Sequence, residues 1–158
     1  MPERATSLTA AAGEHFVAYR LSALGYPVAL TRGGSPTIDL MVGDLSGRSA
    51  ISVQVKTSNW ASRPKKRKPE NSHSEWDVGR KALALRGESI FYAFVDLKWD
   101  WSKPSTPDVF IVPSTVVADF LGPDWSRYMF WIRETDRAKW FEAWHLITDR
   151  LSAVLQPK

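Results

Sequence analysis

Four polar side chains sit where a purely structural sequence has little use for them. Glu14 lies in an apolar helical stripe, since its neighbours three, four and seven residues onward are Val17, Ala18 and Leu21. A carboxylate aimed toward a sheet is costly unless something pairs with it. Asp39 interrupts the β-rich run Thr37 to Val42, although aspartate is depleted in strands. Gln54 and Lys56 alternate with Val53 and Val55, so both point to one face of a strand, roughly 6.5–7 Å apart. Such a set suits phosphodiester hydrolysis. That reaction calls for a divalent cation that neutralises and polarises the phosphate and lowers the pKa of an attacking water. Mg²⁺ (or Mn²⁺) takes oxygen ligands, commonly one or two carboxylates completed by waters and substrate phosphate. Asp39 can supply a carboxylate, Gln54 a neutral carbonyl oxygen, and Glu14 a second carboxylate, directly or through water. Lys56 would stabilise the phosphorane charge or orient the nucleophilic water.

The elements needed to bring these four together can be read from the same residues. Leu8, Ala11, Ala12, Val17, Ala18, Leu21 and Leu24 follow helical spacing, and Gly25-Tyr26-Pro27 ends that helix. A short strand follows around Val28 to Thr31, with a flexible turn at Arg32-Gly33-Gly34-Ser35. Two β-rich runs, Thr37 to Val42 and Ala50 to Thr57, are joined through Gly43 to Arg48 in the manner of a hairpin. If that turn centres between Ser46 and Gly47, Asp39 falls directly opposite Gln54, with Lys56 next along the same face. A slip of one residue would break the arrangement.

Further on, Ser58 to Ser74 has no apolar periodicity and contains Arg63-Pro64-Lys65-Lys66-Arg67-Lys68-Pro69. Long unpatterned stretches inside small domains are usually functional or disordered. Ser74-Glu75-Trp76-Asp77 has the form of a capping box and predicts a helix from Glu75 to about Arg86. Ser89 to Asp96 reads as a buried strand, Lys98 to Pro107 as a loop, and Asp108 to Val112 as another strand. Ser114 caps a short helix through Leu121. Trp140, Trp144, Ile147, Leu151 and Leu155 mark one face of a final amphipathic helix. A central sheet with helices packed on it is the architecture this order implies.

Composition narrows the function. A chain of 158 residues with 44% hydrophobic and 24% charged residues suits one globular domain. The absence of cysteine excludes disulfides, thiolate zinc sites and a cysteine nucleophile. The first residues lack a signal-peptide pattern and no apolar run approaches membrane-spanning length, so the expected partner list holds no membrane and the expected location is cytoplasmic. Between Ser58 and Lys81 seven Lys or Arg face three Asp or Glu, a surplus that equals the net charge of +4 for the whole chain. A basic stretch of that kind is the footprint of a polyanionic partner. Arg63, Lys65, Lys66, Arg67 and Lys68 are therefore candidate nucleic-acid contacts, with Arg80 and Lys81 weaker ones. Trp60, Trp76, Trp99 and Trp101 could stack on bases, but packing is the favoured role for most of them. His15, His73 and His145 show no ligand spacing.

Gly13-Glu14 in the first helix, Ile38-Asp39 in the second strand and Gln54-Val55-Lys56 in the third resemble the PD-(D/E)XK, or restriction-endonuclease-like, superfamily. The resemblance covers roughly residues 10–96. It implies an α/β fold with an αβββαβ core and a central mixed sheet flanked by helices, here followed by a C-terminal helical extension. A single domain would then span residues 1–158, with its core at about 8–96 and the extension at about 97–158. The resemblance further implies a metal-dependent endonuclease in which Asp39 and Gln54 bind metal, Glu14 supports them and Lys56 is catalytic. Two departures stand out: Ile38 replaces the usual proline, and Gln54 replaces the usual acid of the third strand. The expected substrate is nucleic acid, DNA in the first instance, and cutting both strands of a duplex would favour a homodimer. The rival expectation is a non-catalytic module of the same fold that binds nucleic acid or a protein, and the Trp-rich C-terminal half could also form a protein interface.

Overall fold

The computed structural model describes residues 6–31, 37–100 and 102–154. Its first element, α1 (Thr6–Ala23), buries Thr9, Gly13, Val17, Ala18 and Leu21 along one stripe. Gly25 ends it with φ of 96°, a left-handed conformation that suits glycine. The chain then enters β1 (Val28–Leu30), β2 (Leu40–Gly43) and β3 (Ala50–Ser58). These form an antiparallel meander in which Val28 faces Val42 and Leu40 faces Val53. That register is the one predicted by a turn centred at Ser46-Gly47, and Gly47 supplies its φ of 69°. The Arg32 to Ser35 turn lies outside the described residues.

Two further strands complete the main sheet. β3 pairs in parallel with β6 (Ile90–Asp96), and β6 pairs antiparallel with β7 (Asp108–Pro113), giving the order β1-β2-β3-β6-β7. Parallel neighbours need a crossover, which is usually a helix. Here the crossover carries a hairpin, β4 (Ser62–Arg63) and β5 (His73–Asp77), and a 3₁₀ turn at Arg80–Leu83. A second, three-stranded sheet arises when β5 pairs with β8 (Met129–Arg133). Short helices α2 (Ser114–Phe120) and α3 (Arg137–Trp140) and the longer α4 (His145–Val154) finish the chain.

The helix expected from Glu75 to Arg86 is thus replaced by β5 and the 3₁₀ turn. The capping-box pattern is purely local, whereas burial alternates with period two: Ser74, Trp76 and Val78 are buried, while Glu75 is half-buried and Asp77 exposed. Trp76 decides the matter. Its indole N–H donates to the Val95 carbonyl at 2.9 Å, and its ring lies 5.2 Å from Phe94 and 5.6 Å from Phe110. A helix could not keep that contact and the ladder to β8 as well. The final helix is also corrected. It breaks between Trp140 and His145 because the Glu142 backbone N–H bonds Val109 of β7 and its carboxylate takes Arg20 of α1 at 2.5 Å. Glu142 adopts φ of 51° there. Leu155 and Trp101 lie outside the described residues.

The main sheet separates two apolar clusters. Val17, Leu21, Ile51, Val53, Val55, Ile147 and Leu151 pack on the side of α1 and α4. Trp76, Tyr92, Phe94, Phe110, Phe130 and Ile132 fill the gap between the two sheets. Among the described residues no helix is long and apolar enough to cross a membrane.

Candidate functional site

Alternation along β3 sends Val53 and Val55 toward α1 and leaves Gln54 and Lys56 half-buried on the opposite face. Asp39 immediately precedes β2, where its backbone still joins the sheet: its N–H donates to Val53 at 3.0 Å and its carbonyl accepts from Thr31 at 2.9 Å. The carboxylate turns inward. Its Oδ2 accepts the Gln54 Nε2 amide at 2.5 Å and the Val55 backbone N–H at 2.7 Å. The cross-strand placement of Asp39 and Gln54 therefore exists as a direct contact. Because both bonds go to Oδ2, Asp39 Oδ1 and Gln54 Oε1 accept no hydrogen bond among the described residues.

Glu14 reaches the same place from α1, which lies close against β3. A β-carbon built on Gly13 would stand 1.8 Å from Thr57 Oγ1, so only glycine permits this approach. Glu14, Asp39, Gln54 and Lys56 together line a cleft of about 470 Å³. Its second wall was not foreseen from sequence. Arg63, Glu75, Asp77 and Met129 from the small sheet face the four polar residues across the opening. The signal that would have revealed Glu75 is the period-two burial of residues 73–77, hidden by the capping-box pattern.

Electrostatics in the cleft are set first by burial and then by the proximity of Glu14 and Asp39. Burial raises the Asp39 pKa above the ordinary aspartate value, against the opposing effects of the Val55 N–H and the Lys56 ammonium. Glu14 is raised by burial and then by the charge of Asp39, with His15 opposing. The Tyr92 phenol, on the strand beside Gln54, is pushed up to about 12 by burial and by Asp39. Lys56 makes no ion pair within 4 Å among the described residues, so its ammonium stays available to an incoming anion.

An oxygen-seeking divalent cation fits this donor set. Two carboxylates that repel one another and an amide oxygen converge on one cleft, and a dication would favour the ionised form of both acids. Among the described residues no group of three or more His, Asp or Glu gathers for a metal. A cation here would keep positions for water and phosphate, as Mg²⁺ commonly does.

The basic candidates divide. Arg63 lines the cleft but is held by Glu75 at 2.9 Å and by the Trp60 carbonyl at 2.8 Å. Lys65, Lys66, Arg67 and Lys68 are exposed in the connection between β4 and β5, where with Pro64 and Asn71 they line a separate concavity of about 510 Å³. Arg80 and Lys81 are exposed on the 3₁₀ turn and do not line the cleft. Trp76 is core, Trp60 is exposed and Trp99 is half-buried against the α1 cluster.

The Gln54–Asp39 contact gives a direct prediction. Gln54→Glu would set two carboxylates at hydrogen-bonding distance, in a place that already disfavours the ionised form of Asp39. Without metal at neutral pH, the variant should lose roughly 1–3 kcal/mol of stability. The loss should shrink as the pH falls through the carboxylate range and the pair shares a proton. Chemical denaturation in EDTA at several pH values measures it; a pH-independent difference would mean that charge is not the cause.

No family model matches the chain, and no curated protein matches it. Among solved structures, it is similar to that of a bacterial homing endonuclease, I-Ssp6803I, with a TM-score of 0.57 and 20% identity over 94% of this chain and 96% of that one. The two share a fold: a mixed α/β chain with a central mixed sheet flanked by helices.

Proposed function

We propose that the chain is a metal-dependent nuclease of the PD-(D/E)XK type in its glutamine form. It would act as a single domain on nucleic acid, DNA in the first instance. The observation that carries this reading is the shared contact of Asp39, Gln54 and the Val55 N–H at the mouth of a cleft that also receives Glu14 and Lys56. The likeness to a homing endonuclease supports it, because that protein is named for cutting nucleic acid and has the same fold.

Asp39 Oδ1 and Gln54 Oε1 would hold Mg²⁺ or Mn²⁺, with Glu14 as a direct or water-mediated ligand. The ion would supply charge neutralisation and a more acidic attacking water. Lys56 would approach the scissile phosphate and stabilise the charge that develops on it. Lys65, Lys66, Arg67 and Lys68 would hold the backbone beyond the cleft. Two chains acting together would cut both strands of a duplex.

Isothermal titration with Mn²⁺ separates this reading from a non-catalytic module that keeps only a remnant of the site. The native protein should bind the ion, and Asp39→Ala should weaken binding at least tenfold while staying folded. Equal affinity in the two proteins, or none in the native one, would count for the remnant.

A further inference from the structure

The outward face of the three-stranded sheet carries a row of basic side chains, of which only Arg63 also lines the cleft. Strand register sets Arg63 of β4 opposite His73 of β5, and His73 opposite Arg133 of β8. Residues directly opposite on neighbouring strands project from the same face, so three basic side chains stand side by side across the sheet. Glu75, one step along the face, pairs with Arg63 at 2.9 Å and lies 3.4 Å from the His73 ring. The other acid of this face, Asp77, has Arg127 at 3.8 Å. Arg133 has no acidic partner among the described residues, and it is exposed.

Size and continuity identify what would compensate it. With strands about 4.8 Å apart, the row spans about 10 Å, close to the roughly 12 Å width of the B-form major groove, which admits a β-ribbon. At one end the row joins the cleft through Arg63. Beyond it, the β4–β5 connection carries Lys65 to Lys68. Trp131, the exposed aromatic of this face, has the His73 ring stacked on it at 4.9 Å and 29°. One face of that indole is therefore closed to a base, which weighs against a single-strand stacking platform.

We infer that the outward face of β4, β5 and β8 is a docking surface for duplex DNA, with Arg133 its outermost contact and the row Arg63–His73–Arg133 lying in the major groove. The inference rests on the nuclease reading and assigns its substrate class as B-form duplex. The surface also gives the substrate a direction. A duplex seated on the row runs from Arg133 over Arg63 into the cleft that holds Lys56.

The test is fluorescence anisotropy with the full chain in EDTA, which prevents cleavage. The probes are a labelled DNA duplex, its single strand and poly-glutamate. Arg133→Ala should weaken duplex binding about tenfold and lower the slope of log affinity against log salt by about one, and Arg133→Lys should restore most of the charge-dependent part. Single-strand affinity should fall much less. Circular dichroism confirms that the variants fold. If the native protein binds duplex and Arg133→Ala binds it equally well with the same salt slope, the surface is wrong and the nuclease reading stands. A loss as large on single strands or on poly-glutamate would mark a general anion patch and overturn the groove assignment. A native protein that binds no nucleic acid at all would overturn the nuclease reading, and this inference with it.

Discussion

Asp39→Asn should remove cleavage almost entirely, by about a thousandfold or more, while leaving the metal-free protein as stable as the native one or slightly more so. The two halves of this expectation have one cause. Asp39 is held by the Gln54 amide and the Val55 N–H, yet burial still raises its pKa above the ordinary value. The folded state thus disfavours the ionised carboxylate, and asparagine removes that penalty while preserving shape. The sign follows from linkage. A carboxyl group whose folded pKa exceeds its unfolded one weighs against the fold at neutral pH. That weight lifts as the pH falls through the folded pKa. Any stability advantage of the asparagine variant in EDTA should therefore fade between neutrality and the ordinary aspartate pKa of 3.8. Activity goes the other way, because the metal ion that Asp39 would hold neutralises developing charge and contributes several kcal/mol to the transition state, and each 1.36 kcal/mol is tenfold in rate. Melting curves against pH, set beside initial cleavage rates, check both halves. An asparagine variant that is both unstable and inactive would indicate a structural role alone.

Gly13→Ala carries the second large effect, and its direction opposes local propensity. In an exposed helix alanine outranks glycine by about 1 kcal/mol. Here the new β-carbon would meet Thr57 Oγ1 at 1.8 Å and both Thr57 Cβ and Cγ2 at 2.9 Å. Rotating the threonine cannot clear all three atoms, so α1 must move away from β3. Overpacking of this kind costs typically 1–3 kcal/mol. The helix that moves carries Glu14, and the strand it leaves carries Lys56, so activity should fall as well. Thr57→Ala in the same chain removes Oγ1 and Cγ2 but keeps Cβ at 2.9 Å, so it should recover part of the stability. Thr57 Oγ1 is buried and has no hydrogen-bond partner among the described residues, so its removal sacrifices no bond seen there. Urea denaturation of the two single variants and the double variant measures the coupling. Additive effects would contradict the packing described here.

The parts of this structure that the sequence reveals are those governed by short-range pattern. The Val17, Ala18 and Leu21 part of the α1 stripe (Leu8 and Leu24, counted with it, are exposed), the β2–β3 hairpin and its register are all local, and the register alone sufficed to bring Asp39 to Gln54. The parts that it concealed depend on distant partners. Residues 73–77 satisfy a helix-start pattern, but Trp76 finds the Val95 carbonyl and a three-ring aromatic setting only after β6 and β7 are in place. The same holds for β8, which has a partner only because β5 is a strand. The break before α4 depends on Glu142 meeting Arg20 from the opposite end of the chain. Because β5 was hidden, so was the second wall of the cleft, with Glu75 holding Arg63. The basic run was visible by composition, yet its division into one residue at the cleft and four beyond it needed the hairpin.

The most direct measurement is cleavage of a panel of DNA and RNA substrates, duplex and single-stranded, by the native protein and by Lys56→Ala. Each reaction is run with Mg²⁺, with Mn²⁺ and with EDTA. Lys56 serves best because it makes no ion pair within 4 Å among the described residues, so its loss should leave folding nearly unchanged. The native protein should cleave in a metal-dependent way, most strongly on duplex DNA, and the variant should be slower by at least about a hundredfold. Cleavage that persists in EDTA, or that Lys56→Ala performs at the native rate, would contradict the proposed mechanism.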